Sequence, residues 1–195
     1  AILAAGTSTR AGIENKLLFE FEKKALVAHT VDVALDSMAD QVHVVLGHQR
    51  ELLAQALENR YLDLLYNTAY KTGIASSIRC AVQALPNNVN GMIVCLADMP
   101  LVATRHLNQL IEHFRAGRVC APYCQGRRGN PVLFCSTFFD DLLQLAGDTG
   151  ARQLLEALAD SITRVDVEDE GIFYNVNRPA DLRTHNAAST PDSAS

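Results

Sequence analysis

Residues 1–16 read AILAAGTSTRAGIENK, and this stretch joins an apolar run to a small, cationic turn. The five leading apolar residues predict a buried strand. Gly6 lets the backbone turn tightly and approach a ligand closely. Backbone N–H groups in such a loop can bind phosphate oxygens, whose charge Arg10 and Lys16 can neutralise. An ordinary strand-to-helix turn with two solvated cations fits the same residues, so both interpretations stay open at this point.

The turn matches neither of two common phosphate-binding motifs. Gly12 is not followed by Lys and then Ser or Thr, as a Walker A loop requires. The second glycine of a GxGxxG fingerprint is also absent. Evidence for or against phosphate binding must therefore come from the rest of the chain.

Along the first half of the chain, short apolar runs alternate with segments in which apolar residues recur at helical spacing. The strand-like runs are AILAA, VHVVL, LDLLY and GMIVCLA. Continuous apolar strands interleaved with helices predict βαβ units on a mostly parallel sheet. We therefore predict an α/β fold, a three-layer Rossmann-like sheet, in which Ser76 or Ser77 caps one of the helices. Ligands of such sheets bind beyond the carboxyl ends of the strands.

The pattern changes after Gly117, where the strand candidates VCAPY, NPVLF and SITRVDV are shorter. They predict a small β-rich insertion lobe over the sheet edge, at about residues 118–170. With 195 residues the chain supports one sizeable core, so residues 1–183 are predicted to form a single domain that includes this lobe. The small, polar residues 184–195 predict a disordered tail.

Composition excludes several classes of function. A net charge of -5 argues against nucleic-acid binding, which needs a basic face. No apolar run approaches the roughly 18 residues of a membrane helix, and no basic region precedes the first strand. We therefore expect a cytoplasmic protein that binds no membrane. The five cysteines fit no metal or disulfide pattern and are expected to pack as small apolar residues.

The segment LADMP, residues 96–100, places a carboxylate at the end of the most strand-like run. Pro100 ends that strand and fixes the turn after Asp98. A lone carboxylate in this position is a natural Mg²⁺ ligand when a nucleotide supplies the other oxygens. Alternatively, Asp98 caps the following helix or binds loop amides.

The segment NVNRPADL, residues 175–182, carries two carboxamides with one residue between them. In an extended chain the side chains of Asn175 and Asn177 share a face. Together they could ligate a metal or bind a phosphate. The alternative is a polar turn before a helix that Pro179 begins.

These motifs, in this order, resemble a known family. Residues 3–16, LAAGTSTRAGIENK, resemble the LAAGxSxRMGxxK signature of pyrophosphorylase-like nucleotidyltransferases, although Ala11 replaces Met and one extra residue precedes Lys16. Within these enzymes the chain resembles the molybdopterin nucleotidyltransferases, on the branch of the molybdenum cofactor cytidylyltransferases. The later motifs that match in order are NTAYKTGIASSI (67–78), LADMP (96–100), GRRGNPVLF (126–134), GDTGAR (147–152) and NVNRPADL (175–182).

The resemblance implies transfer of CMP from CTP to the phosphate of molybdopterin, with release of pyrophosphate. It implies Mg²⁺ as cofactor and transient contact with a molybdoenzyme or its chaperone. Arg10, Lys16 and Asp98 would be catalytic, and Asp98 would hold the metal together with Asn175 or Asn177. The implied nucleotide-binding residues are Leu3, Ala4, Ala5, Gly6, Asn67, Gly73, Ser76 and Ser77. The implied acceptor-binding residues are Gly129, Asn130, Pro131, Asp148 and Arg152.

Three alternatives to this function remain. LAAG favours the cytidylyl branch, whereas Asn-Val-Asn is closer to the guanylyl branch, so GTP is an alternative donor. A sugar or polyol phosphate is an alternative acceptor for CTP. A nucleotide-binding regulatory module without catalysis is the third alternative. The joint presence of Arg10, Lys16 and Asp98 favours an enzyme, because a protein that only binds nucleotide does not need all three.

Overall fold

The computed structural model describes residues 1–7, 15–178 and 180–182, so Arg10 and the predicted tail lie outside the described residues. The strands are β1 Ile2–Ala4, β2 Glu20–Phe21, β3 Lys24–Ala25, β4 His43–Leu46, β5 Asp63–Tyr66, β6 Gly91–Leu96, β7 Val119–Cys124, β8 Arg127–Arg128, β9 Val132–Cys135 and β10 Ile162–Asp166. The α-helices are α1 Leu26–Leu35, α2 Arg50–Ala56, α3 Ile74–Gln83, α4 Thr104–Glu112, α5 Phe139–Leu143 and α6 Arg152–Ala157.

One sheet organises the molecule, in the strand order β10-β7-β9-β6-β1-β4-β5, with β8 paired to β7. Strand β1 runs parallel to β4 and β6, β4 runs parallel to β5, and β10 runs parallel to β7. Strand β9 is antiparallel to both of its neighbours, β6 and β7. The short strands β2 and β3 form a separate hairpin. This mixed, mostly parallel sheet with flanking helices confirms the predicted α/β Rossmann-like fold.

The two faces of the sheet bury two separate cores. On β1, Ile2 and Ala4 pack against α1, α2 and α4, whereas Leu3, and Ala5 directly after the strand, face α3, α5 and α6. Because successive strand residues point to opposite faces, this continuous apolar run needs helices on both sides. All five cysteines are free thiols, and four of the five are buried. Among the described residues, no helix is long and apolar enough to cross a membrane.

The β-rich segment differs from the expected lobe in its position. Strands β7, β9 and β10 extend the main sheet beyond β6 and do not lie over its edge. The reason is that β9 carries apolar residues on both of its faces. Leu133 packs against Leu110 of α4 on one face, while Val132 and Phe134 pack into the core beside α3 and α5 on the other. Both faces are buried, so these strands must lie in a covered sheet.

Helix α3 begins earlier than the predicted serine cap. Its first residue is Ile74, and Gly73 precedes it with a positive φ of 108°. Ser76 and Ser77 lie in its first turn and are both buried. Ser76 Oγ donates to the carbonyl oxygen of Gly73 at 2.8 Å, so it bonds backward into the turn and does not cap the helix.

Candidate active site

A cavity of about 650 Å³ opens at the carboxyl ends of β1 and β6. This is the edge at which a doubly wound sheet binds ligands. Strand ends and the loops that follow them form its wall. Residues predicted from several separate motifs line it: Leu3, Ala5, Gly6, Lys16, Gly73, Ser77, Asp98, Asp148 and Asn177.

The central contact of the cavity is an ion pair between Lys16 and Asp98. Lys16 Nζ lies 2.5 Å from Asp98 Oδ2 and also donates to the carbonyl oxygen of Val176 at 2.8 Å. Asn175 Nδ2 donates to Asp98 Oδ1 at 3.2 Å. The side chains of Lys16 and Asp98 are only 18% and 20% exposed. The structure thus brings together residues of three motifs that lie far apart in the sequence.

The backbone on either side of Asp98 is fixed by neighbouring elements. The N–H of Val176 donates to the carbonyl oxygen of Asp98 at 2.8 Å. His29 Nε2, on α1, lies 3.0 Å from the carbonyl oxygen of Pro100. The backbone of the turn is thus held from two sides, while Lys16 and Asn175 hold the two carboxylate oxygens, an arrangement typical of a preorganised site.

The turn that carries Asn175 and Asn177 is held by a second carboxylate. Asp181 Oδ2 accepts hydrogen bonds from the backbone N–H groups of Asn177 at 2.8 Å and Arg178 at 2.9 Å. These two bonds hold the pKa of Asp181 below its usual range. Asn177 Nδ2 also lies 3.4 Å from the carbonyl oxygen of Asn175, where it donates a weak hydrogen bond. The segment is therefore an ordered turn, in which Asn177 faces the cavity.

The donor set at this edge suits a hard divalent cation. Asp98 offers a carboxylate, and Asn175 and Asn177 offer carboxamide oxygens, the ligand types that Mg²⁺ and Mn²⁺ prefer. Among the described residues, no group of three or more His, Cys, Asp or Glu could hold a metal. A cation at Asp98 would therefore complete its coordination with phosphate oxygens and water, as Mg²⁺ usually does.

The four residues of the LAAG segment divide between the faces of β1. Leu3, Ala5 and Gly6 line the cavity. Ala4 points to the opposite face and packs in the core beside α1. Of the predicted nucleotide-binding residue Ala4, only the backbone can therefore contribute to this cavity.

Asn67 and Ser76 are buried behind the cavity wall. Asn67 Nδ2 donates to Ser76 Oγ at 2.8 Å and to Ser77 Oγ at 3.0 Å, and its Oδ1 accepts from the N–H of Ala69. Of these predicted nucleotide-binding residues, Ser77 alone lines the cavity. Asn67 joins the end of β5 to the first turn of α3 and thereby positions Ser77.

A second cavity of about 300 Å³ adjoins the first. The two share a wall of Leu3, Ile74, Leu96 and Asp148. Its floor is apolar and comes from Ile78, Val94, Val132, Phe134 and Leu155. Its polar lining comes from Arg128, Asn130, Asp148, Thr149 and Arg152.

The predicted acceptor residues lie at this second cavity, with one exception. Gly129, Asn130, Asp148 and Arg152 line it. Pro131 does not, because it lies on the other side of the sheet, beside a small void lined by α1 and α4.

The loop after α5 closes against the start of α3. Asp148 Oδ1 accepts from the N–H of Ile74 at 3.1 Å, and the carbonyl oxygen of Gly147 accepts from the N–H of Ala75 at 3.2 Å. These contacts satisfy two donors in the first turn of the helix, which has no earlier carbonyl groups to bond. A Cβ on Gly73 would lie 2.3 Å from the carbonyl oxygen of Gly147, so this approach requires glycine.

Several cavity residues were not singled out in the sequence. Tyr70, Lys71 and Thr72 line the larger cavity. All three belong to the NTAYKTG motif. For Lys71 the sequence did offer a signal, namely a positively charged residue in a loop that follows a predicted strand. His48 is absent from the described lining of both cavities, and its ring lies 6.3 Å from that of Tyr70.

A family profile described as the MobA-like NTP transferase domain matches residues 1–162. Among curated proteins, the bifunctional protein GlmU of Halorhodospira halophila is 32% identical over 131 residues, which cover 65% of this chain and 27% of GlmU. The chain spans about a quarter to a third of the length of the first curated relatives that it matches, 24% of one and 30% of another.

Solved structures resemble the whole described fold. Rv0371c from Mycobacterium tuberculosis H37Rv is 26% identical, with a TM-score of 0.85 and coverage of 94% of each chain. A manganese complex of the same protein has a TM-score of 0.81 at 24% identity, again covering 94% of each chain. At that identity the second likeness concerns the fold alone.

Proposed function

The chain belongs to the family of MobA-like NTP transferase domains, and from this premise we propose that it transfers CMP from CTP to the phosphate group of a molybdopterin-type acceptor. The family supports nucleotidyl transfer as the reaction class and nucleoside triphosphates as substrates. The choice of base and of acceptor rests on the cavities and the sequence motifs.

The observation that carries the proposal is the pair of adjoining cavities. The larger holds Lys16 and Asp98 and has room for a triphosphate, while the smaller has an apolar floor with Arg128 and Arg152 in its lining. A flat heterocycle with an anionic group matches that surface. The polar groups of a pterin lie at the edge of its ring and leave two apolar faces for such a floor, whereas the hydroxyl groups of a sugar or polyol lie along its whole length, and unsatisfied polar groups on an apolar floor are costly. This comparison favours a pterin-type acceptor.

In the proposed reaction, an oxygen of the acceptor phosphate attacks the α-phosphorus of CTP. A new P–O bond forms as the bond between the α-phosphorus and the bridging oxygen breaks, and pyrophosphate leaves with that electron pair. An ionised phosphate needs no general base. Catalysis then depends on positioning and on neutralising the triphosphate, the role assigned to Lys16. Arg10 is proposed for the same role from its motif, since it lies outside the described residues.

We assign the divalent cation to Asp98, with Asn175 or Asn177 as the second contact. When bound, Mg²⁺ or Mn²⁺ would neutralise charge on the triphosphate and on the leaving pyrophosphate. The chain's own contribution is to fix the ligands. Asn175 holds one carboxylate oxygen of Asp98, and the backbone of Val176 holds its carbonyl group.

GTP is the second candidate donor. The Asn-Val-Asn turn supports it, whereas the LAAG segment that lines the cavity supports CTP. The two donors differ in size, and a purine needs more depth beside Leu3 and Ser77 than a pyrimidine does. The proposed transient contact with a molybdoenzyme or its chaperone rests on the family resemblance.

Pyrophosphate release tests the proposal. The protein is incubated with Mg²⁺ and molybdenum-loaded molybdopterin, in parallel with CTP, GTP, ATP and UTP, and each CTP reaction is repeated with a sugar phosphate and a polyol phosphate. We expect release with CTP and molybdopterin. Release with GTP would assign the other base, and release only with a sugar or polyol phosphate would refute the pterin acceptor. Nucleotide binding without release from any pair would favour a regulatory module.

A further inference from the structure

We propose that Lys16 serves as an internal counter-ion of Asp98, which an incoming triphosphate draws away so that a metal ion can take its place. Free protein would then bind metal weakly, and triphosphate and metal would bind synergistically. This inference rests on the proposed function, because it assigns a triphosphate and a cation to the same cavity.

The contacts of Asp98 leave both carboxylate oxygens engaged. Lys16 Nζ is 2.5 Å from Oδ2, and Asn175 Nδ2 is 3.2 Å from Oδ1. Lys16 Nζ also donates a hydrogen bond to the carbonyl oxygen of Val176, at 2.8 Å. Both charged side chains are about four-fifths buried, so solvent and salt screen the pair poorly. In this state Asp98 already has the cation that its charge requires.

A metal ion and Lys16 cannot both have close contact with Asp98 Oδ2 without further negative charge. Two cations at one carboxylate repel each other, and the metal would also have to displace a short hydrogen bond. A triphosphate supplies the missing charge, because it brings several anionic oxygens into the cavity that Lys16 lines. Lysine has a long, flexible side chain and three rotatable donors, so it can turn from carboxylate to phosphate.

Lys71 lines the same cavity but has different contacts. Its Nζ lies 5.9 Å from the centroid of the Tyr70 ring, and among the described contacts it has none with Asp98. The two lysines therefore separate two effects. Lys71 contributes only a positive electrostatic potential to the cavity. Lys16 contributes such a potential too, and it also forms an ion pair with the carboxylate of Asp98.

The exchange has a reciprocal consequence. The ion pair engages Lys16 as well as Asp98, so Asp98 also holds Lys16 back from phosphate. By reciprocity, metal and triphosphate must then raise each other's affinity by the same factor. Without metal, a variant that lacks the negative charge of Asp98 should release Lys16 to a triphosphate. Removal of a catalytic residue would then increase metal-free nucleotide affinity.

The first experiment measures Mn²⁺ binding calorimetrically, with and without a non-hydrolysable CTP analogue. In the absence of nucleotide we expect Lys16→Met to bind Mn²⁺ roughly tenfold more tightly than wild type, as loss of a competing partly buried cation implies. The synergy with nucleotide should shrink in the same variant. Lys24→Met is the matched control, because Lys24 pairs with Asp32 and lies outside the cavity lining. Lys71→Met controls for positive field alone.

Two results would overturn the inference. Equal Mn²⁺ affinity of Lys16→Met and wild type would show that Lys16 does not occupy the metal position. An equal gain in Mn²⁺ affinity in Lys71→Met would show that only the positive electrostatic potential of the cavity opposes metal binding. If wild type binds no nucleotide even with Mn²⁺, the proposed function fails and this inference fails with it. If wild type turns over while Lys16→Met leaves Mn²⁺ affinity unchanged, only the inference fails.

The second experiment measures binding of the same analogue in excess chelator. We expect Asp98→Asn to bind it several-fold more tightly than wild type, although this variant lacks a residue assigned to catalysis. Asp166→Asn is the control, because Asp166 is an exposed carboxylate paired with Arg164. Weaker or equal binding by Asp98→Asn would contradict the exchange, and circular dichroism verifies that each variant is folded.

Discussion

The carboxylate of Asp148 accepts a hydrogen bond from the backbone N–H of Ile74 at 3.1 Å, although the two residues lie 74 positions apart. Ile74 is the first residue of α3, and both residues line the wall between the two cavities. This one contact therefore couples the start of α3 to the loop between α5 and α6, at the wall that the two cavities share.

Two substitutions separate the capping role of Asp148 from its charge. Asp148→Ala should lower the free energy of unfolding by about 1 kcal/mol, because a helix donor loses its partner. The same variant should raise the acceptor KM, since the loop is no longer held. Asp148→Asn retains an acceptor oxygen and should match wild type in both measurements, made by urea denaturation and steady-state kinetics. If the Asn variant is as impaired as the Ala variant, the charge matters and the cap does not.

The His106–Asp169 pair should give stability a pH dependence. His106 is 1% exposed, its Nδ1 accepts from the N–H of Ala103, and its Nε2 donates to Asp169 Oδ2 at 2.9 Å. Burial raises the pKa of Asp169, but hydrogen bonds from Arg105, His106 and the N–H of Gly171 outweigh it and hold that pKa below its usual value.

Because the folded-state pKa of Asp169 is lowered, its stabilisation is present above the unfolded value, near about pH 4, and is lost as pH falls through the folded value. Asp169→Asn should cost about 1–3 kcal/mol at neutral pH, since a buried histidine donor loses a charged partner. The difference from wild type should shrink as urea titrations move from pH 7 to pH 3. A constant difference would contradict the pKa argument.

Gly73 should tolerate no side chain. Its φ is 108°, and a Cβ would lie 2.3 Å from the carbonyl oxygen of Gly147, so Gly73→Ala must displace the loop that carries Asp148. We expect a loss of about 2 kcal/mol or more, from strain and the lost contacts. Gly126→Ala is the matched control, because Gly126 also has a positive φ but has no atom within 4 Å of the added Cβ. Thermal unfolding compares the two variants. Equal losses of melting temperature would mean that the positive φ alone, and not the close approach to Gly147, causes the destabilisation.

A bulky residue at Ala151 should block the second cavity. Ala151 is half-buried in its lining, at the start of α6. Ala151→Trp should raise the acceptor KM by roughly tenfold or more while the nucleotide KM stays the same, because the larger cavity does not include this residue. Ala157→Trp, at the exposed end of the same helix, provides the control. A change confined to the nucleotide KM would place the acceptor elsewhere.

The sequence was sufficient to place three polar residues of the candidate site at one edge. Lys16 and Asp98 are 82 residues apart and Asn175 is 77 residues beyond Asp98, yet all three meet. Each follows a predicted strand or turn, and parallel strands bring their carboxyl ends to a common edge. With this rule, local sequence patterns predict which residues meet in the tertiary structure, even when the side-chain packing is unknown.

Side-chain direction was the part that local patterns could not give. Asn67 and Ser76 belong to the predicted nucleotide motif but bond each other behind the wall. Pro131 follows Asn130 in sequence, yet it lies on the opposite side of the sheet. Strand β9 pairs antiparallel with β6 inside the main sheet, where helices cover both of its faces, and local patterns did not show those helices. Each outcome depends on residues distant in sequence, which periodicity does not report.

The measurement that tests the central claim most directly is the mass of the product formed from CTP and molybdopterin by wild type and by Asp98→Ala, side by side. Asp166→Ala serves as the exposed-carboxylate control. The proposed site predicts acceptor plus CMP, with one pyrophosphate per product, for wild type and the control. It predicts a fall of orders of magnitude for Asp98→Ala with the fold intact. Product formation by Asp98→Ala near the wild-type rate would contradict the assignment of this edge as the catalytic site.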